Sequence, residues 1–298
     1  MTLVTELSEI RTPFLTALGT FGSFIGEEVF LLAVVGVLYW CVDKRFTWRI
    51  IFTYTLSASL AEILKIIFCV PRPWLRDGGA EAVSWAEKYE TGFSFPSVHA
   101  AAVTSMAMPF FLNIKRIPVR IVSLLLIVFT AVSRIYLGVN TLADIAAAVV
   151  LTVIVSILVN KFTDEIVLDK SHYKTAVSLL CLLPLVGIMI ALARYYNGAV
   201  DHESIKGMLR TAGAAMGWAL SWYIEKQYIN FNESCSRWWK NLLKGFLGIC
   251  ILLAVRFWLE FLSGLISSDF WPGDLLGSFI SVVVGFTIYP IFIKKFFK

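Results

Sequence analysis

The chain has 298 residues, of which 58% are hydrophobic and 16% are charged, with a net charge of +5 and a mean hydropathy of +0.77. Soluble domains average about 25% charged residues, so this composition excludes an ordinary water-soluble protein. Long apolar runs, rather than short alternating segments, exclude a transmembrane β-barrel. The basic excess does not indicate a nucleic-acid partner, because lysines and arginines in membrane proteins mainly set topology.

The apolar runs predict an all-α, polytopic membrane protein with nine transmembrane helices. The predicted spans are residues 14–40, 48–70, 98–113, 118–138, 142–162, 173–195, 205–226, 242–266 and 274–293. The third is shorter than the roughly 20 residues that a spanning helix needs, and the seventh is interrupted by Arg210.

The loops between the spans differ in charge. Most lysines and arginines occur in alternate loops, among them "DKRFTWR", "KRIPVR" and the terminal "KKFFK". The positive-inside rule therefore predicts an N-terminus outside the cell and a C-terminus in the cytoplasm, with segment 71–97 outside. We expect residues 1–162 (spans one to five) to form the functional core and residues 163–298 (spans six to nine) to add a helical extension to the same membrane domain.

The cysteines do not predict a metal site. No two of them have the spacing of metal ligands, and most lie in or beside apolar runs: Cys41, Cys69, Cys181, Cys235 and Cys250. They are expected to be packing residues.

A lysine and an arginine flank the predicted end of the second span, in "AEILKIIFCVPRPW". Pro71 and Pro73 bracket Arg72, and proline cannot continue a helix, so the helix has to end here. Lys65 and Arg72 would then lie together at a helix end, where they suit a phosphate. Taken alone, Lys65 favours the simpler interpretation of a side chain that extends to the membrane interface.

The stretch "GFSFPSVHAAAV" predicts a helix N-terminus. Ser97 follows Pro96 and precedes an alanine run, so it is the expected N-cap, with Val98 and His99 in the first turn. Free N–H groups and the positive end of the helix dipole make such a place suitable for an anion. The alternative is ordinary capping with a structural histidine.

Three polar residues occur close together in "SRIYLGVNTLAD", residues 133–144. Arg134 is near the outer end of the fourth span, and Asn140 and Asp144 are expected on one side of the fifth helix. An ionisable residue within a membrane predicts a functional site; the alternative is an Arg134–Asp144 ion pair that closes the turn. With the two preceding stretches, this one places cations, a histidine, a carboxylate and a helix N-terminus on one membrane face, a combination that fits a phosphate ester.

The motifs K-x6-R-P, P-S-x-H and S-R-x5-N-x3-D resemble those of the type 2 phosphatidic acid phosphatase superfamily, which has P-S-G-H in the second motif and a histidine in the third. The motifs occupy residues 65–144, and the nine-span layout is similar to that of the glucose-6-phosphatases. Spans six to nine have no counterpart in the core pattern. The resemblance implies a bacterial plasma membrane and a lipid or polyprenyl phosphate or diphosphate as substrate.

The resemblance also implies the roles of the site residues. The phosphoryl oxygens would be bound by five residues: Lys65, Arg72, Ser97, Val98 and Arg134. His99 would protonate the leaving alkoxide. Asp144 would orient the residue at position 140, which in the family is a histidine that attacks phosphorus. No metal or other cofactor is implied.

Two residues depart from the family pattern: Val98 replaces a glycine, and Asn140 replaces the nucleophilic histidine. An amide nitrogen has no available lone pair, so Asn140 cannot form a phosphoenzyme. One hypothesis is a lipid phosphatase whose nucleophile has been replaced, and another is a natural pseudoenzyme that binds or moves a phospholipid without hydrolysis. A small-solute transporter is a third, but the chain lacks paired helices broken by glycine or proline in matching halves.

Overall fold

The fold consists of helices and their connections, in a computed structural model that describes residues 3–77, 79, 81–168, 173–233, 238–266 and 271–296. Every regular element in those ranges is helical, which confirms the all-α prediction. In chain order the α-helices are α1 (Leu3–Glu9), α2 (Pro13–Phe24), α3 (Glu28–Cys41), α4 (Lys44–Phe68), α5 (Ser84–Tyr89), α6 (Val98–Asn113), α7 (Ile117–Tyr136), α8 (Leu142–Leu168), α9 (Tyr173–Tyr196), α10 (His202–Ile224), α11 (Trp238–Ile266), α12 (Trp271–Val283) and α13 (Tyr289–Phe296). A 3₁₀ turn at Pro73–Leu75 and π-helical segments at Glu225–Ile229 and Val284–Ile288 extend them.

Six helical segments in the described ranges are long and apolar enough to cross a membrane, and α2 with α3 adds a seventh if the two form one bent span. The six are Lys44–Leu75, Ile117–Tyr136, Leu142–Phe162, Val177–Tyr196, Trp238–Gly264 and Pro272–Phe296. Helix α6 has only 16 residues, and α10, with 23, is long enough but too polar. The membrane-spanning character is confirmed, while the count of nine spans and the orientation of the termini stay predictions.

The first predicted span, residues 14–40, is not one straight helix. It is divided into α2 and α3, whose axes differ by 55°. A Cβ on Gly26, in the break, would lie 2.8 Å from the Cβ of His99. The absence of a side chain at Gly26 therefore lets the break approach the start of α6 closely.

An aromatic core joins the predicted functional core to the C-terminal extension. Trp40 of α3 stacks on Phe286, with ring centroids 5.6 Å apart, and its Nε1 donates to the Gly285 carbonyl at 3.0 Å. Trp48 of α4 contacts Trp222 of α10, with centroids 5.8 Å apart. Buried aromatic pairs of this kind stabilise a fold beyond the area they bury. Helix α4 lies at the centre and packs against α6, α8, α9 and α10, so the extension is packed directly on the core.

No disulfide joins the cysteines in the described residues. Cys41, Cys69 and Cys181 are partly buried and Cys250 is exposed, whereas Cys235 lies outside the described residues. The three partly buried thiols agree with the predicted packing role.

Replacing Gly213 by alanine should weaken the packing of α10 on α12. A Cβ at this position would lie 2.0 Å from the Leu275 carbonyl oxygen, a backbone atom that cannot rotate away. We expect the thermal unfolding midpoint in detergent to fall by roughly 3–9 °C, because overpacking costs about 1–3 kcal/mol.

Gly264→Ala is the matched control, because a Cβ on Gly264 in α11 meets nothing within 4 Å. Alanine also favours the helix over glycine, so this variant should unfold at the same temperature as the unmodified protein or higher. Equal decreases in the two variants would contradict the role given to Gly213.

Candidate active site

The end of α4 brings Lys65 to a polar cavity, and the turn after it brings Arg72. Cys69 adopts the left-handed conformation, with φ at 49°, and its N–H donates to the Lys65 carbonyl at 2.9 Å. The predicted helix end is therefore confirmed. Arg72 is only 4% exposed. It donates to three acceptors, the carbonyl oxygens of Val139 (3.0 Å) and Thr91 (3.1 Å) and the carboxylate of Glu90 (3.2 Å).

The start of α6 contributes Ser97, Val98 and His99. Ser97 is the N-cap, as predicted, since its Oγ accepts the Ala100 N–H at 3.4 Å. Val98 and His99 form the first turn and line the cavity. The Nε2 of His99 lies 3.1 Å from Oε1 of Glu27, a residue of the break between α2 and α3. The histidine is thus held at the cavity wall by a carboxylate from another part of the chain.

Arg134, near the end of α7, is 1% exposed and contacts three separate segments. Its Nε donates to Oδ1 of Asn140 at 3.0 Å, and its Nη1 donates to the Ser23 hydroxyl at 2.7 Å and to the Glu90 carboxylate. The alternative of an Arg134–Asp144 ion pair is wrong, because the acidic partner of Arg134 is Glu90.

Asn140 is held in one orientation by three hydrogen bonds. Its Nδ2 donates to the Ser94 carbonyl at 2.8 Å, and its Oδ1 accepts from Arg134 and, at 3.2 Å, from the Ser97 hydroxyl. Asn140 therefore connects the second and third motifs within the site.

Asp144 caps the start of α8. Its Oδ2 accepts the Thr141 N–H at 2.7 Å, and its own N–H donates to the Thr141 hydroxyl at 3.3 Å, a reciprocal arrangement that stabilises a helix start. Asn140 lies before Leu142, the first residue of α8, so the prediction that Asn140 and Asp144 share one side of that helix is wrong. The hydrogen bonds described for Asn140 do not involve the Asp144 carboxylate, and the orienting role of Asp144 stays a prediction.

One cavity of about 200 Å³ collects most of the predicted site residues. Those that line it are Lys65, Arg72, Ser97, Val98, His99, Arg134 and Asn140. Asp144 is not in the lining. Cations at several points and the unpaired N–H groups of a helix start are the features of an anion site.

The cavity also has wall residues that were not predicted. Glu27 and Glu90 line it, together with Lys206 and Arg210 of α10. Nothing in the sequence distinguished Glu90 as a site residue, because it is one of several charged residues in a polar segment. Arg210 was distinguishable, because it interrupts an apolar helix. In the structure it is paired with Asp274 at 3.0 Å. The C-terminal extension thus helps to form the cavity.

Glu90 is an ionised carboxylate inside this cavity. Burial, the largest single influence, would raise the pKa of Glu90, since it disfavours the charged form. Arg134, His99 and Arg72 together outweigh burial and hold the pKa of Glu90 well below its usual range. The charge of Glu90 is therefore fixed by its cationic neighbours.

Two family models match the chain. Residues 46–168 match the PAP2 superfamily, and residues 209–297 match the PAP2 superfamily phosphatase, transmembrane extension. Both parts of the chain match the PAP2 superfamily. The first match contains all three motifs and confirms the resemblance that they predicted. The second covers most of α10 to α13, for which the core pattern had no counterpart.

The PAP2 match is accompanied by similarity to curated lipid phosphate phosphatases. Sphingosine-1-phosphate phosphatase 2 of Homo sapiens is 23% identical over 155 residues, which are 50% of this chain and 38% of that protein. Sphingosine-1-phosphate phosphatase 1 of Rattus norvegicus is 24% identical over 177 residues, 57% of this chain and 40% of that protein. The chain thus spans about two fifths of the length of these relatives.

Two solved structures are similar to part of this chain. Aquifex aeolicus LpxE has a TM-score of 0.48 and 22% identity, over 53% of this chain and 93% of that one. A transmembrane PAP2 type phosphatidylglycerolphosphate phosphatase from Bacillus subtilis has a TM-score of 0.46 and 22% identity, over 55% of this chain and 84% of that one.

Arg134→Lys should destabilise the protein although it keeps the positive charge. A lysine cannot bond Ser23, Glu90 and Asn140 from one planar, forked group. We expect a loss of roughly 1–3 kcal/mol, the cost of leaving buried hydrogen-bonding groups unsatisfied, measured as a lower thermal midpoint in detergent. Arg116→Lys, at the exposed start of α7, is the control and should not change the midpoint. An unchanged midpoint in Arg134→Lys would show that these contacts do not stabilise the fold.

Proposed function

We propose that the cavity binds the phosphate end of a lipid or polyprenyl phosphate or diphosphate at the outer face of a bacterial plasma membrane. The observation that carries this proposal is the convergence of Lys65, Arg72 and Arg134, from three different segments, on the start of α6. Two guanidinium groups can each grip phosphoryl oxygens in a bidentate fashion, and the lysine adds a point charge.

The location of the cavity favours a lipid over a soluble ester. Lys65 and Arg134 lie in the last turns of α4 and α7, two helices long and apolar enough to cross the membrane. A cavity of about 200 Å³ has room for a phosphoryl group and the first atoms of the alcohol, so the hydrocarbon chain would stay in the bilayer. The names of the curated relatives, which are phosphatases of a lipid phosphate, support the same class.

The proposed chemistry, in a form with histidine at position 140, is a phosphoryl transfer in two steps. The imidazole nitrogen forms a bond to phosphorus while the ester P–O bond breaks, and His99 gives a proton to the leaving alkoxide. Water then cleaves the phosphohistidine and releases inorganic phosphate. Lys65, Arg72 and Arg134 stabilise the charge on the transferred group, and no step needs a metal or other cofactor.

Asn140 removes the first of these steps. The nitrogen lone pair is delocalised in the amide, and Nδ2 is already donating to the Ser94 carbonyl at 2.8 Å. We therefore propose that this chain binds its phosphate ester and either does not hydrolyse it or retains it as a trapped complex.

A natural pseudoenzyme is the second candidate function. It is favoured by Val98, a second departure from the family motif at the cavity wall, and by the three hydrogen bonds that integrate Asn140 into the site. Such a protein would bind or move a phospholipid without hydrolysis.

Asn140→His should convert the inactive chain into a phosphatase. We expect the release of inorganic phosphate in detergent to rise at least about a thousandfold, since loss of a nucleophile costs up to about 10⁶ in kcat. The substrates are phosphatidate, phosphatidylglycerophosphate, sphingosine 1-phosphate and a polyprenyl diphosphate. Asn140→Gln, which keeps an amide, is the matched control and should stay inactive.

Two outcomes of that assay would change the proposal. Rapid hydrolysis by the unmodified chain would contradict the role given to Asn140. An Asn140→His protein that is folded but inactive on every substrate would favour the pseudoenzyme.

Arg72→Ala should weaken the binding of inorganic phosphate at least about tenfold, because hydrogen bonds to charged groups contribute about 1.5–3 kcal/mol each. Isothermal titration of the detergent-solubilised protein measures the affinity. Arg45→Ala is the control, since Arg45 is exposed at the opposite end of α4 from Lys65. Equal affinities in the two variants would exclude Arg72 from the phosphate site.

A further inference from the structure

The Glu90 carboxylate lies where the proposed function requires a phosphoryl group. Its Oε2 is 3.2 Å from Nη2 of Arg72, and its Oε1 accepts from Nη1 of Arg134. The same Oε1 is 3.8 Å from Nε2 of His99. The partners of Glu90 are therefore the groups that would bind the transferred phosphate and protonate its leaving group.

A carboxylate and a phosphate use the same donors of an arginine. Both accept from the parallel N–H groups of the guanidinium fork, and one N–H cannot donate fully to both. The Glu90 side chain is 9% exposed, so it does not lie at the rim where a ligand could pass beside it. A phosphate ester that accepts from Nη2 of Arg72 and Nη1 of Arg134 has to displace Glu90 from both.

The backbone around Glu90 has a means of moving away. Glu90 ends α5, a helix of six residues, where its N–H donates to the Ala86 carbonyl at 2.8 Å. Two residues later Gly92 has φ at +68°, a left-handed conformation that glycine adopts and leaves at little cost. The intervening Thr91 is tied to Glu203 of α10 by a hydrogen bond of 3.0 Å between their side chains, which is exposed. The Thr91 carbonyl also accepts from Nη2 of Arg72 at 3.1 Å. The connection is thus a short helix, two hydrogen bonds at Thr91 and a glycine.

We propose that Glu90 is an internal anion of the phosphate site, an autoinhibitory contact that a phosphate ester displaces when it binds. This inference rests on the proposed function of the cavity. In the absence of ligand, Glu90 neutralises Arg72 and Arg134, which would otherwise be buried cations without a counter-charge. Only molecules in which Glu90 has moved away can bind an anion. The apparent affinity is therefore the intrinsic affinity multiplied by the fraction of such molecules.

The same carboxylate could instead belong to a cation site, because ligand atoms of Glu27, Glu90 and His99 lie within 4.8 Å of one another. The surrounding charges oppose this. Arg72 and Arg134 both contact Glu90 directly, so a divalent cation would have to enter beside two guanidinium groups. Glu90 is therefore better explained as an internal ligand of Arg72 and Arg134 than as a ligand of a metal cation.

The experiment measures the affinity for inorganic phosphate in the full chain and two variants, by isothermal titration in detergent. Glu90→Gln removes the charge of the internal anion, and we expect it to bind phosphate about tenfold more tightly, the effect of removing one charge-assisted competitor. Glu87→Gln is the matched control, the same substitution three residues earlier, at an exposed position of α5, and it should bind like the unmodified chain.

Hydrogen exchange in the unmodified chain gives a readout that does not depend on the folding of Glu90→Gln. Displacement of Glu90 by saturating phosphate should speed exchange of the backbone amides of residues 84–92, while other segments stay the same or are protected. Added Mn²⁺ or Zn²⁺ in place of phosphate should have no effect on either readout.

The titration and the exchange measurement together decide between the proposal and its alternatives. Tighter binding by Glu90→Gln, or faster exchange at residues 84–92 with phosphate, supports the proposal. Phosphate binding that is equal in the two variants, together with slower exchange at residues 84–92, overturns it and leaves the phosphate site intact. Saturable binding of Mn²⁺ that Glu90→Gln abolishes overturns it in favour of a cation site. Absence of phosphate binding in all three proteins overturns the proposed function as well.

Discussion

The buried guanidinium of Arg134 is the constraint on which the rest of the site depends. A charge that is 1% exposed is stable only if its donors are paired. Arg134 is paired with Ser23 of α2, Glu90 after α5 and Asn140 after α7. These contacts bring two distant segments, and the turn that follows α7, to the end of one helix. The end of α2, the position of Glu90 and the orientation of Asn140 are each tied to this one side chain by a hydrogen bond.

The balance of charge in the cavity is the second consequence, since its lining includes five glutamates as well as five lysines and arginines. Lys65, Arg72 and Arg134 line the same small space, and repulsion among them would oppose folding in the absence of a ligand. Glu90 lies between the two arginines and reduces that cost. Under the proposed function, a ligand has to compete with the arrangement that stabilises the ligand-free protein, so stability and affinity would be opposed at this site.

The residue at position 140 has a structural task that is separate from the proposed chemistry. Asn140 is hydrogen bonded to Ser94, Ser97 and Arg134, and these bonds connect the start of α6 with the turn after α7. An amide is sufficient for that structural task, whereas attack on phosphorus needs a free nitrogen lone pair. Arg134 and Ser97 bond to Asn140 directly, whereas the hydrogen bonds described for Arg72 do not involve the residue at 140.

The local part of this structure was predictable from the sequence, and the non-local part was not. Apolar runs determine the helices, Pro71 and Pro73 end α4, and Ser97 caps α6, because each of these effects acts over a few residues. The three motifs predicted the match to the PAP2 superfamily and seven residues of the cavity lining. The pairing of Arg134 with Glu90 joins residues 44 positions apart, and its pairing with Ser23 joins residues 111 positions apart. No local pattern encodes such pairs, and the contribution of α10 to the cavity wall likewise depends on how the helices pack. Tertiary structure alone therefore decided that Glu90, rather than Asp144, is the acid on Arg134, because a buried cation takes the carboxylate that packing brings to it.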